Sequence, residues 1–120
     1  MGTVKVKRIY KPFDEQDGMR ILIDRLWPRG VKKETARLDE WMKEIAPSTE
    51  LRKWFNHETP NWDEFRLKYR LELTQNDAVK NLLNFIKHHK TVTLLYAAHD
   101  EQHNHALVLQ EFMGELLKNT

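Results

Sequence analysis

The sequence predicts a small α/β fold over residues 1–120: a short, mostly parallel sheet with one antiparallel N-terminal strand, flanked by helices, in a single domain. Two observations support this prediction. Short apolar, β-branched runs lie near the N-terminus and again at 91–97, and the residues between and after them carry apolar side chains at three- and four-residue spacing. With 120 residues, the chain can bury about two thirds of its unfolded surface in one core.

The first two strands are expected on either side of a short turn. Alternating apolar residues mark a strand between positions 4 and 9, and the run at 21–23 is too short for a buried helix. Turn-forming residues occupy 11–13 and 17–18. Because parallel neighbours need a long crossover, this short connection predicts that the two strands pair antiparallel.

Helical spacing dominates the middle of the chain. Lys33 to Ala46 is predicted as a helix, although the sequence leaves a strand open for residues 38–46. Further helices are expected to begin near Ser48, Asn61 and Asp77, each of which is a helix-capping residue type.

The run from Thr91 to Ala97 is the clearest strand, and its continuous apolar character suits a central position covered on both faces. It can lie parallel to the strand at 21–23, because a long helical stretch separates the two. Asp100 is then expected as the N-cap of the last helix.

Charged residues follow the second strand where it ends. Pro28 removes a backbone donor and favours extended geometry at Trp27, so the strand should stop near there. Asp24, Arg25 and Arg29 therefore lie just past the carboxyl end of a strand, where α/β sheets bind ligands. The alternative is that the same charges form an interior salt-bridge network.

A second polar segment, residues 97–105, follows the late strand and begins the last helix. If both strands run the same way, the two segments meet at one edge, where two arginines and a helix N-terminus suit a carboxylate or phosphate. An imidazole there can act as an acid or base near neutral pH. We therefore predict ligand contacts by Arg25, Trp27, Arg29 and Asp100. Of the candidate catalytic residues, His103 and Asn104 are expected to contact the reacting group, and Asp24 is expected to orient an arginine.

Composition excludes several classes of protein. Twenty Lys and Arg against eighteen Asp and Glu give a net charge of +2, too balanced for a chain that mainly neutralises phosphates, so nucleic acid is not the expected partner. Without cysteine, disulfides, thiolate nucleophiles and cysteine-based zinc sites are excluded. No apolar segment has the length of a membrane span and no signal peptide precedes the first strand, so a cytoplasmic protein without a membrane partner or cofactor is expected.

The histidines do not predict a metal site. His99 and His103 are four residues apart, but His99 is expected to precede the last helix. His105 falls in step with the apolar residues of that helix and is expected to be packed. His57, His88 and His89 are expected at the surface or at helix ends.

Two rival functions follow from other features of the sequence. A nucleic-acid-binding protein would use basic residues on helical faces, and its affinity would fall steeply with salt. These residues are Arg52, Lys53, Arg66, Lys68 and Arg70. A protein-interaction module would instead present an exposed apolar patch in place of a polar pocket.

A set of short segments spread over nearly the whole chain forms a recognisable pattern: Asp24 through Gly30, Ala46-Pro47-Ser48, Leu51-Arg52, Trp54-Phe55, Phe65 with Tyr69, Glu72-Leu73, Leu94 through Ala98, and Asp100 through Ala106. In these segments the chain resembles the YeaO-like proteins, a bacterial branch of the family called domain of unknown function 488. The resemblance implies a compact single α/β domain and no particular reaction. Broader relatives place cysteine and histidine after the late strand, where this chain has His103-Asn104 and no thiol.

Overall fold

Four strands form one sheet within residues 2–56 and 58–119, which the computed structural model describes. They are β1 (Thr3–Arg8), β2 (Met19–Leu22), β3 (Glu40–Trp41) and β4 (Thr91–Tyr96). All pairings are parallel, and the strand order is β1-β4-β2-β3. Leu94 of the central strand β4 lies opposite Val6 of β1 on one side and Ile21 of β2 on the other.

The same described residues form five α-helices: α1 (Lys33–Ala36), α2 (Thr49–Phe55), α3 (Trp62–Thr74), α4 (Ala78–His88) and α5 (His105–Lys118). Ser48 caps α2, because its hydroxyl accepts the Leu51 N–H at 3.1 Å. Asn104 caps α5 through the Leu107 N–H, also at 3.1 Å. The prediction that Asp100 is the N-cap of the last helix is therefore wrong. No helix in the described part of the chain is long and apolar enough to cross a membrane.

The predicted antiparallel N-terminal strand is also wrong. β1 and β2 are parallel and not adjacent, because β4 lies between them. The connection from Ile9 to Gly18 returns the chain to the opposite end of the sheet without a crossover helix. A stretch of this length can span about 30 Å, which exceeds the roughly 20 Å of a six-residue strand. The Thr93 hydroxyl donates to the Asp17 carbonyl at 2.7 Å and ties this return segment to the sheet.

The spacing of apolar residues in 33–46 predicts a single helix, but these residues do not form one. α1 ends where Arg37 adopts a left-handed conformation with φ of 51°. The chain then forms the edge strand β3, in which Trp41 lies opposite Leu22. The Trp41 indole N–H donates to the Asp24 carbonyl at 2.7 Å. Contacts with β2 and the segment after it therefore override the local helical periodicity.

Each face of the sheet has its own apolar cluster. One face packs against α2 to α5, and its fully buried side chains include Ile21, Tyr69, Leu82, Ile86, Leu94, Leu109 and Met113. On the other face, Ile9, Leu22 and Leu95 pack against Trp27 and Trp41, whose rings lie 5.3 Å apart edge to face. Burial of both faces accounts for the continuous apolar run in β4.

A buried ion cluster stabilises the second face. Arg20, which is 2% exposed, donates to the Asp17 carboxylate and to the Ala36 carbonyl at 2.9 Å, and Lys7 Nζ lies 3.0 Å from the same carboxylate. Burial alone would raise the pKa of Asp17, but hydrogen bonds from Lys7, the Asp14 backbone and Arg20 outweigh it and hold that pKa below its ordinary value. The cluster joins the return segment 9–18 to β1 and β2.

Candidate functional site

The segments that follow β2 and β4 meet at the carboxyl edge of the sheet. Residues 24–29 follow β2, Ala97 and Ala98 follow β4, and His105 begins α5; together they line a cavity of about 300 Å³. The rest of its lining consists of Ala46, Pro47, Arg52, Phe55 and Phe65. The two segments meet because β2 and β4 are adjacent parallel strands, whose carboxyl ends lie at the same edge.

Asp24 is the acidic residue of this cavity, and the backbone around it fixes its position. Its Oδ2 accepts the Ala97 N–H at 3.0 Å, and its carbonyl accepts the Trp41 indole N–H. Its Oδ1 is buried without a hydrogen bond in the described residues, although it lies 3.1 Å from Nε2 of His105. The geometry directs the proton of that nitrogen to the Ile23 carbonyl, at 3.0 Å.

Three arginines line the same cavity. The Arg25 guanidinium donates to the carbonyls of Ala46 at 3.0 Å and Pro47 at 3.3 Å, so its position is fixed. Arg29 and Arg52 are exposed, and neither side chain has an ion-pair or hydrogen-bond partner within residues 2–56 and 58–119. Since none of the three pairs with Asp24, the predicted alternative of an interior salt-bridge network does not describe these contacts.

Aromatic rings form the apolar wall of the cavity. Phe55 and Phe65 stack with their centroids 4.3 Å apart. Trp27 packs against Trp41, and its indole N–H donates to the Val31 carbonyl at 2.7 Å. The cavity therefore combines a cationic rim with an aromatic, apolar wall.

The structure brings Asp24, Arg25, Trp27 and Arg29 into one lining but leaves the other predicted site residues outside it. Asp100 Oδ1 accepts the N–H groups of Gln102 and His103 at 2.8 and 3.1 Å, and these hydrogen bonds, that of Gln102 first, lower its pKa. The His103 ring lies 2.9 Å from Asp100 Oδ2 and packs edge-on against Trp62. Asn104 caps α5. These three residues therefore order the loop before α5.

His105 lies in the cavity lining, a position that the sequence reasoning assigned to His103. Its side chain is 14% exposed, and its ring lies 6.2 Å from that of Tyr69. The signal that could have found it is the capping preference of Asn104. With the cap there, His105 is the first residue of the helix and lies beside the strand ends.

The basic face of α3 is largely neutralised by neighbouring carboxylates. Arg66 and Arg70 each lie 3.1 Å from Glu111 of α5. Lys68 lies 3.0 Å from Glu64, one turn earlier in the same helix. These pairs leave little unpartnered positive charge on α3, whereas Arg52 and Lys53, the other basic residues of the nucleic-acid hypothesis, lie on α2.

Other surfaces have a different character. A larger groove of about 760 Å³, beside α4, is lined by acidic groups that include Glu40 and Asp77, so its charge is opposite to that of the rim. Leu67 and Leu71 are exposed on α3.

Among the described residues, no three His, Cys, Asp or Glu side chains are placed to hold a metal ion, and His57 lies outside those residues.

Fold and site together define a parallel α/β domain with a cationic pocket at the carboxyl edge of its sheet. The chain belongs to the family DUF488-N3i, described as "Inactive DUF488-N3 subclade", whose profile matches residues 3–120. This match confirms the resemblance predicted from the sequence.

Two relatives illustrate the similarity. "Uncharacterized protein YeaO" of Escherichia coli (strain K12) is 48% identical over 114 residues, which cover 95% of this chain and 99% of the relative. "Uncharacterized protein Rv3073c" of Mycobacterium tuberculosis (strain ATCC 25618 / H37Rv) is 37% identical over 111 residues, 92% of this chain and 93% of the relative. No solved structure matches the chain.

Proposed function

We propose that this protein binds a small molecule bearing a phosphate or carboxylate group in the cavity at the carboxyl edge of the sheet. The observation that carries the proposal is the charge of the lining, where Arg25, Arg29 and Arg52 share the cavity with a single carboxylate, that of Asp24. Guanidinium groups suit carboxylates and phosphates because two parallel N–H donors match two oxygens. We also propose that the protein acts in the cytoplasm, as expected from the sequence.

The arginines would contribute in two ways. Arg29 and Arg52 are exposed and unpaired within the described residues, so they would close on the anionic group. Arg25 is already held by two carbonyls and would supply a fixed positive charge without further ordering. The aromatic wall would cover the apolar body of the ligand.

Binding without turnover is the form of the proposal that we favour. The word "Inactive" in the family description supports it. His103 and Asn104 hold the loop before α5, so the proposal gives them no contact with ligand, and their catalytic role stays a prediction. Asp24 would act by positioning His105 and by setting the charge of the cavity floor.

A ligand screen tests the proposal directly. Thermal unfolding is followed with a panel of nucleotides, sugar phosphates and small carboxylates, and compounds that raise the Tm are titrated by calorimetry. Arg29→Gln and Arg52→Gln should each weaken binding about tenfold, since each loses a charged hydrogen bond worth about 1.5 kcal/mol. Lys53→Gln is the matched control, because Lys53 is the next residue on α2, is exposed, and does not line the cavity.

Two outcomes would overturn the proposal. The first is that no member of the panel raises the Tm of the wild-type protein. The second is that Lys53→Gln weakens binding as much as Arg52→Gln, which would indicate a general attraction by surface charge and not a contact in the cavity.

A further inference from the structure

The imidazole of His105 is held in one tautomer. Its Nε2 lies 3.0 Å from the carbonyl oxygen of Ile23 and 3.1 Å from Oδ1 of Asp24. A carbonyl oxygen can only accept a hydrogen bond, so Nε2 must carry a proton. In the neutral ring, Nδ1 then has a free lone pair, and in residues 2–56 and 58–119 this nitrogen has no hydrogen-bond partner.

Other acceptors of the lining are already engaged. The carbonyls of Ala46 and Pro47 accept from Arg25, and those of Ala97 and Ala98 accept from Arg8. The same holds for two further carbonyls, since that of Asp24 accepts from Trp41 and that of Arg29 accepts from the Tyr10 hydroxyl at 2.8 Å. Asp24 Oδ1 is buried below the surface of the cavity. Among the side chains of the described lining, His105 Nδ1 is therefore the acceptor that stays available for a ligand.

On the basis of the proposed function, we propose that the ligand is a hydroxylated aromatic acid whose hydroxyl donates to Nδ1 of His105. Its acidic group is bound at the arginine rim by Arg29 and Arg52. Its ring packs on the wall formed by Phe55 and Phe65. A cavity of about 300 Å³ has room for one substituted ring. His105 is thus a specificity-determining residue, which distinguishes a ligand with a donor from one of equal size without it.

Matched ligands test this inference. The probes are 3- and 4-hydroxybenzoate, with 3- and 4-fluorobenzoate as analogues of similar size that lack a donor, titrated by calorimetry at about pH 8.5, where imidazoles are neutral. At least one hydroxybenzoate should bind about three- to tenfold more tightly than its fluoro analogue, the gain of one neutral hydrogen bond. Long-range ¹H–¹⁵N spectra of the imidazoles should show His105 as the Nε2–H tautomer.

Two variants locate the preference. His105→Phe keeps an aromatic ring but should bind hydroxy and fluoro analogues within about twofold of each other. His99→Phe should keep the wild-type preference, because His99 is exposed and does not line the cavity. If His105→Phe does not fold, the wild-type preference and the tautomer still decide the question.

The outcomes separate this inference from the proposed function. Equal affinity for hydroxy and fluoro analogues, or an Nδ1–H tautomer, overturns the role of His105 while anion binding in the cavity still stands. Binding of phosphates but not of benzoates likewise overturns only the ligand class. Failure of every anion to bind overturns both.

Discussion

Replacing Asp24 with Asn should destabilise the protein, although the two side chains have the same shape. Oδ2 accepts the Ala97 N–H at 3.0 Å, whereas Oδ1 is buried without a hydrogen bond in the described residues, 3.1 Å from Nε2 of His105, whose proton is directed to the Ile23 carbonyl. An amide has only one oxygen, so its NH₂ group lies against either the Ala97 N–H or the protonated Nε2, and neither nitrogen can accept a hydrogen bond. A buried donor left unsatisfied costs about 1–3 kcal/mol.

Urea unfolding at neutral pH measures this loss, and thermal unfolding should show a Tm lowered by about 3–15 °C. Asp77→Asn is the matched control. Asp77 is exposed just before α4 and its side chain makes no capping hydrogen bond, so its change should stay within about 0.5 kcal/mol. A wild-type midpoint for Asp24→Asn would contradict this expectation, because it would mean that the amide NH₂ group finds an acceptor at one of the two positions.

Three further substitutions test the account of stability by urea unfolding. Asp17→Asn removes the counter-charge of buried Arg20 and should cost about 3 kcal/mol. Because the pKa of Asp17 is lowered on folding, its stabilisation is present above the ordinary value of 3.8 and is lost as the pH falls through the folded pKa, so a deficit that does not shrink in acid would contradict this. Tyr69→Phe removes a buried hydroxyl that donates to the Ile45 carbonyl at 2.7 Å and should cost about 1–2 kcal/mol; no loss would contradict the bond. Glu111→Gln breaks exposed pairs with two arginines of α3 and should cost less than about 1 kcal/mol, and a loss above about 2 kcal/mol would show that these pairs stabilise the fold.

Local patterns in the sequence predict most of the elements but not how the strands are ordered. The apolar runs at 21–23 and 91–97 identify two strands, and the second is central as expected. The pairing of β1 was not predictable from the short connection that follows it. β4, from a distant part of the chain, inserts between β1 and β2, so these two strands are parallel although no long crossover helix connects them.

The candidate site, too, was predictable from local patterns only in part. Asp24, Arg25 and Arg29 could be placed at the sheet edge because they follow a strand end, and the structure places them there. His105 was missed because its spacing is in step with the apolar residues of the last helix, which predicts a packed position. A start at Asp100 would also have placed it inside the helix, whereas the structure makes it the first helical residue, beside the strand ends.

A single NMR titration shows whether an anion binds in the cavity at the carboxyl edge of the sheet. ¹H–¹⁵N spectra are recorded while inorganic phosphate or benzoate is added to the wild-type protein and to the Arg29→Gln/Arg52→Gln double variant. We expect saturable shifts for the amides of residues 24–27, Arg29, Ala97 and Ala98 in the wild type, and their loss in the variant. Shifts that do not saturate would contradict binding in the cavity, and so would shifts centred on the surface where the arginines of α3 pair with the glutamates of α5.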